Sequence, residues 1–230
     1  MRRALLALLF VGQAFAGEPL PGLPVSPRIL FQGDSITDGN RGRSADLNHV
    51  HGHGFVYLLA ARLGAGAPAQ NATFLNRGVS GNTVLDLSKR WPKDTLELKP
   101  DVLSLLIGVN DSSKGVAPEV FERTYDELLT TARAANPKLR LVLCEPFLGV
   151  TGAAIDKSPG RRERLALLVP VVRRLAAKHG ATLIDFQKVF DDAQRRAPSS
   201  YWIWDGVHPT TAGHQLMADE WERVVRASWR

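Results

Sequence analysis

The sequence predicts an α/β domain built on a parallel sheet with helices packed on both faces. Short apolar runs alternate with longer stretches of helical period, the pattern of repeated βα units. The apolar runs are nearly continuous, as strands covered on both faces must be. A length of 230 residues, 44% hydrophobic and 23% charged, suits one such domain with its own core.

The first residues stand apart from that core. Met1-Arg2-Arg3 is a basic start, Ala4 to Gly12 an apolar run, and Ala14-Phe15-Ala16 a small-x-small site before Gly17. This predicts a secretory signal peptide over residues 1–16. The run is shorter than the ~20 apolar residues that cross a bilayer, and no Cys follows it to carry a lipid. No membrane anchor is expected. Residues 17–27 are Pro-rich (Pro19, Pro21, Pro24, Pro27) and read as an extended linker, with the domain over 28–230.

Strands are predicted at Arg28–Gln32, Thr73–Asn76, Val102–Ile107, Leu139–Leu143 and Thr182–Asp185. Helices are predicted at Phe55–Leu63, Pro118–Ala135, Arg161–His179 and Thr211–Ser228. Phe121, Tyr125, Leu128, Leu129 and Ala132 share one face of the second helix, and Pro137 stops it. Gly180 ends the third. Met217, Trp221, Val224 and Val225 form the stripe of the fourth. Cys144, the single cysteine, follows Leu141-Val142-Leu143 and reads as a buried structural thiol with no disulfide.

The formal charge is +6, and loss of Arg2 and Arg3 with the leader leaves it at +4. Arg161, Arg162, Arg164, Arg173 and Arg174 are scattered through a helix and read as solvated faces. Stacking aromatics are not interleaved with them, so no nucleic-acid partner is expected.

In an open α/β sheet the ligand site lies beyond the carboxyl ends of the strands. The unusual residues fall there. Gly33-Asp34-Ser35 follows the first strand and presents a Ser at the sheet edge, although Ser35 also suits a helix N-cap. Asn76-Arg77-Gly78-Val79-Ser80-Gly81-Asn82 follows the second strand and Gly108-Val109-Asn110-Asp111 the third. Both supply groups able to donate to an oxyanion, and both also read as ordinary Gly/Asn turns. Asp205-Gly206-Val207-His208 places a carboxylate within one turn of an imidazole. The Asp can then orient the ring while its far nitrogen takes a proton from Ser35. A surface turn with a stray His is the bland alternative. The Gly-x-Ser-x-Gly elbow of other α/β hydrolases is missing from the sequence.

Taken together and in order, these blocks resemble the SGNH hydrolases, also called the GDSL family. The likeness runs from about Arg28 to the last helix and rests on Gly33-Asp34-Ser35, Gly78, Gly108-x-Asn110-Asp111 and Asp205-x-x-His208. It implies a three-layer sandwich with a flavodoxin-like parallel sheet of about five strands. It implies Ser35 as nucleophile, His208 as base and Asp205 as its orienting partner. The oxyanion hole would be the Ser35 N–H, the Gly78 N–H and the Asn110 amide. No metal or cofactor is implied. The stretches from Phe31 to Asp38, Asn76 to Thr83, Asp86-Leu87, Arg90-Trp91 and Trp204 to Pro209 resemble the bacterial acetylxylan esterase and carbohydrate acetylesterase branch. That likeness makes Asp34 and Trp204 candidate substrate contacts and an ester of a small molecule or oligosaccharide the expected substrate. Ser112-Ser113-Lys114 depart from the branch, which carries a bulky aromatic soon after the Asn-Asp pair. A lysophospholipase or thioesterase of the same family is the alternative enzyme, and a carbohydrate-binding pseudoenzyme the alternative from another class.

His49, His51 and His53 form a His-x-His-x-His run. It has only Asp46 near it as a further ligand type, so it reads as a loop at the cleft rim rather than a metal site. Trp91, Trp202 and Trp229 read as packing residues, with Trp202 the nearest in sequence to the Asp–His turn.

Overall fold

The apolar runs pair into a sheet at Arg28–Gly33 (β1), Thr73–Asn76 (β2), Val102–Leu106 (β3), Arg140–Cys144 (β4) and Thr182–Ile184 (β5). These come from a computed structural model that describes residues 17–230; the expected signal peptide lies outside the described residues. The helices are α1 (Ser35–Asp38), α2 (Phe55–Gly66), α3 (Val84–Trp91), α4 (Val109–Lys114), α5 (Pro118–Ala135), α6 (Ala153–Asp156), α7 (Arg161–His179), α8 (Phe186–Ala193), α9 (Ser199–Trp202) and α10 (Thr211–Ser228). The five strands are all parallel and ordered β2-β1-β3-β4-β5.

That order explains the layers. The step from β1 to β2 moves one way across the sheet, and every later step moves the other way. Right-handed crossovers therefore put α2 on one face and α3, α5 and α7 on the opposite face. The pleat sorts the strand residues between the two cores. Ile29, Phe31, Val102, Leu106, Val142 and Cys144 pack with residues of α2, α8 and α10. Leu30, Leu103, Leu105, Leu141 and Leu143 pack with residues of α3, α5 and α7. The result is the expected three-layer α/β architecture.

One polar side chain interrupts the first core. Ser104, in the middle of β3, is buried and accepts the indole N–H of Trp221 at 3.0 Å, so neither group is stranded. Cys144 is fully buried beside it, and burial pushes its thiol up to about 12, which makes it inert.

The Pro-rich stretch turns at Pro21-Gly22 and is fastened to the domain. Leu20 is buried, and its backbone N–H and C=O each bond the Gln70 amide at 3.0 Å. Arg226 of α10 donates to the carbonyls of Glu18 and Pro19, and Arg140 to that of Gly22. Trp229 lies under Arg140, and its ring N–H bonds Thr182 at the start of β5. These anchors lie along the amino ends of the strands, away from the loops that follow them.

Six of the described helices escaped the sequence reading, four of them of six residues or fewer (α1, α4, α6, α9), leaving α3 and α8 as the longer two. The first, α3, begins with a capping box: Thr83 accepts the Asp86 N–H while Asp86 accepts the Thr83 N–H. The second, α8, is capped by Asp185, a residue read as the end of a strand, whose carboxylate accepts the Lys188 N–H.

Candidate active site

Where the sheet order reverses, between β1 and β3, the carboxyl ends of neighbouring strands leave a crevice. β1 ends at Gly33, which has φ +157°. A Cβ there would lie 2.3 Å from the Leu106 carbonyl oxygen and 2.5 Å from Thr37 Oγ1, so only glycine turns the chain this tightly. The next two residues open α1. Asp34 caps it by accepting the Ile36 N–H at 3.0 Å, and Ser35 is left half-buried at the crevice.

The other half of the site comes from the turn before α10. Ile203 bridges Pro209, and the Trp204 N–H bonds the His208 carbonyl, which closes a narrow loop. Inside it, Asp205 Oδ1 accepts the N–H groups of Val207 at 2.9 Å and His208 at 2.7 Å. Oδ2 lies 2.7 Å from His208 Nδ1. Burial works against the Asp205 carboxylate, but the His208 N–H, the His208 ring and the Val207 N–H outweigh it and hold the group below the usual carboxylate range. A charged Asp205 can only accept, so Nδ1 carries the proton and Nε2 is left as an acceptor. Nε2 sits 2.8 Å from Ser35 Oγ. The fold thus brings Ser35, His208 and Asp205 into one relay across 173 residues of sequence.

A second loop braces the first. Gly152 has φ +145°, and a Cβ on it would lie 2.2 Å from the Asp205 carbonyl carbon. The Ala154 N–H bonds the Asp205 carbonyl and the Gly149 N–H that of Gly206. Asp205 is therefore fixed from its own loop and from the segment after β4.

Asn110 lies on α4, just past β3, half-buried. Its Nδ2 donates to the Asn82 carbonyl at 3.0 Å, which leaves the second amide hydrogen free of that bond. Gly78 is different. It is buried, and its N–H is taken by Asn76 Oδ1 at 2.9 Å. The Asn76 amide nitrogen in turn donates to the carbonyls of Thr37 and His51. The expectation that Gly78 donates to an oxyanion is corrected, because that N–H is already spent inside the protein. Gly81, three residues on, is exposed next to Asn82. Nothing lies within 4 Å of the place where its Cβ would be, and its N–H has no partner among the described residues.

Asp34 also departs from expectation. It is 1% exposed, buried beside Ser35 instead of on the crevice wall, so it caps a helix rather than facing substrate. Burial pushes its carboxyl up to about 7 against the pull of the Ile36 N–H. Trp204 is 64% exposed, with its ring 6.4 Å from that of His208 and 25° from parallel. Trp202 is buried, its indole N–H bonded to the Ala197 carbonyl.

Three residues escaped the sequence reading. Arg90 of α3 donates to Gln32, Gly33, Arg77 and Asn82, which locks the loop after β1 to the loop after β2. Asp38 adds a second tie by accepting the Ser80 N–H and hydroxyl along with Arg43. Arg161, read as part of a solvated face, is 6% exposed and spans two site loops. The likeness at Arg90-Trp91 marked the position of Arg90, but only the fold shows what its guanidinium joins.

His51 is half-buried, whereas His49 and His53 are exposed. The loop packs on the end of α1 through the His53 N–H to Gly39 carbonyl bond, and His51 borders a cavity of about 620 Å³ along β2. Among the described residues no three His, Cys, Asp or Glu side chains are grouped to hold a metal ion, and no helix is long and apolar enough to cross a membrane.

Comparison with known proteins identifies the class. The model of the GDSL-like lipase/acylhydrolase family matches residues 31–216, and the chain belongs to that family. It is a carboxylic ester hydrolase of the SGNH type. Among characterised relatives it is 31% identical to the acetylxylan esterase of Geobacillus stearothermophilus over 215 residues, which covers 88% of this chain and 95% of the relative. A catalytic mutant of that esterase superposes with TM-score 0.79 at 28% identity, covering 88% and 95% of the two chains. A protein from Parabacteroides merdae described as a GDSL-like lipase superposes with TM-score 0.83 at 38% identity, covering 90% and 99%.

Proposed function

We propose that this protein is an exported serine esterase that removes small acyl groups, acetyl foremost, from carbohydrate. The observation that carries the reading is the relay Ser35 Oγ–His208 Nε2–Asp205, with contacts of 2.8 and 2.7 Å. Ser35 Oγ attacks the ester carbonyl as its proton passes to His208 Nε2. Asp205 keeps its charge, holding Nδ1–H and stabilising the imidazolium. The negative oxygen is met by the Ser35 N–H, the Gly81 N–H and the free hydrogen of the Asn110 amide. Gly81 takes the place expected of Gly78. The tetrahedral adduct collapses, His208 returns the proton to the departing sugar hydroxyl, and Ser35 keeps the acyl group. Water, deprotonated by His208, then attacks the acyl-serine and regenerates the Ser35 hydroxyl.

Three features support the finer points. Trp204 offers an exposed apolar ring beside His208, the kind of surface on which a sugar ring stacks. The cavities of about 620, 560 and 500 Å³ are lined by neither Ser35 nor His208. Export rests on the basic-apolar-small pattern of residues 1–16.

The test is an acyl-length series of nitrophenyl esters with Ser35→Ala as control. Acetate is expected to give the highest kcat/KM, and the variant to lose both turnover and fluorophosphonate labelling. A preference for long chains would reassign the enzyme as a lipase-type member. Turnover of more than a few per cent in a clean Ser35→Ala preparation would remove Ser35 from the role. Sequencing the protein from an exporting host should find Gly17 first.

A further inference from the structure

Arg161 opens α7, yet its guanidinium points away from solvent. The residue is 6% exposed, an arrangement that costs several kcal/mol unless the charge is partnered. Two hydrogen bonds partner it, and each goes to a loop of the active site. Nη2 donates to the carbonyl of Val109 at 2.9 Å, one residue before Asn110. Nη1 donates to the carbonyl of Ala154 at 3.1 Å. Ala154 is the residue whose N–H grips the Asp205 carbonyl at 3.0 Å. Burial draws the guanidinium below its ordinary value, against the pull of Asp34 and Asp205 and with the push of Arg164.

We propose that Arg161 is a positioning residue that sets the loop of the oxyanion donor Asn110 against the loop of Asp205, resting on the reading of the site given above. One rigid fork spans carbonyls from two segments, after β3 and after β4. Arg164 makes a second tie farther along both segments, from the Ser112 carbonyl to Ser158 and Pro159. Among the described residues, Arg161 alone reaches both the residue before Asn110 and the residue that bonds the Asp205 carbonyl. The spacing of those two loops is where an error near 1 Å costs about 100-fold in rate. The Val109 carbonyl also receives the Ser112 hydroxyl at 2.8 Å, and Arg164 still holds the Ser112 carbonyl, so loss of Arg161 leaves that loop folded but without its tie beside Asn110.

The experiment compares Arg161→Met and Arg161→Lys with wild type on nitrophenyl acetate, and repeats the first substitution in the Asn110→Ala background. Methionine fills the space without donors; lysine keeps the charge but places one nitrogen where two are needed. Both are expected to lower kcat by about 10- to 100-fold, with KM within about threefold and Tm near wild type. Because the effect passes through the donor, the double variant should retain at least about tenfold more activity than the product of the two single losses. Wild-type kcat in either variant overturns the proposal, as do multiplicative losses in the double variant. Failure of both variants to fold also overturns it, since Arg161 would then be a determinant of stability alone. If Asn110→Ala itself has full activity, the oxyanion assignment fails and the Arg161 single variants still report on their own.

Discussion

Asp205→Asn probes the relay with the least disturbance of the fold. Asp205 Oδ1 holds two backbone N–H groups, at 2.9 and 2.7 Å, and an asparagine Oδ1 can hold both. The amide nitrogen must then sit where Oδ2 was, 2.7 Å from His208 Nδ1. Flipping the amide would aim its N–H at two N–H donors and strand them, at about 1–3 kcal/mol each. The unflipped amide donates to Nδ1, so Nδ1 loses its proton and Nε2 gains it. Nε2–H can no longer accept from Ser35 Oγ. In the serine protease triad the same exchange lowers kcat about 10⁴-fold, which corresponds to about 5.4 kcal/mol at 1.36 kcal/mol per decade. A loss of that order is expected here for nitrophenyl acetate at neutral pH, with KM within a few-fold and Tm within a few degrees. Asp205→Ala removes the two backbone contacts as well and is expected to lower Tm in addition. Turnover of Asp205→Asn within tenfold of wild type would refute the tautomer argument. A large fall in its Tm would show that the loop depends on more than Oδ1.

Asn110→Ala is expected to lower kcat about 10²–10³-fold while KM holds, because the oxyanion exists only in the transition state; a loss confined to KM or Tm makes the residue structural. Asp34 yields a pH prediction. Its folded value of about 7 stands above the ordinary 3.8, through burial and the nearby Asp111, opposed by the Ile36 N–H and Arg161. The folded state therefore holds the proton longer than the unfolded chain. The stability this contributes is fully present below about pH 4 and is lost as pH rises toward 7. Asp34→Asn keeps the cap without the titration. Its Tm relative to wild type should rise by several degrees between pH 5 and pH 8, and a parallel pair of curves would contradict the burial argument.

The sheet was legible because its central strands β1, β3 and β4 are covered on both faces and so read as nearly continuous apolar runs. The bounds of α5, α7 and α10 were legible from Pro118, Gly180 and the stripe ending at Val225, since caps and breakers act locally. The short α3 and α8 carry too few turns for periodicity to stand out, and their caps were the only local signal. In the site, the relay was legible because spacing and strand order bring Ser35, Asp205 and His208 together. Which glycine of the loop over 76–82 keeps a free N–H was not. Gly78 and Gly81 are equivalent as letters, and the choice depends on where the Asn76 side chain folds. Arg161 was misread for a related reason. An arginine at the first turn of a basic helix looks solvated until the loops from β3 and β4 are seen to close over it.

The anchoring of residues 17–27 along the amino ends of the strands bears on how the enzyme can be handled. Glu18 and Pro19 are held by Arg226 near the end of α10, so the first described residues and the last helical turn meet on one side of the domain. The crevice opens on the other side, beyond the carboxyl ends of the strands. A tag, a fused binding module or a resin linker joined at either place would leave Trp204 and Ser35 facing outward toward an insoluble polymer. Joining the two places with a short peptide and opening the chain at an exposed loop such as Arg43–Asn48 would give a permuted enzyme with an unaltered catalytic edge.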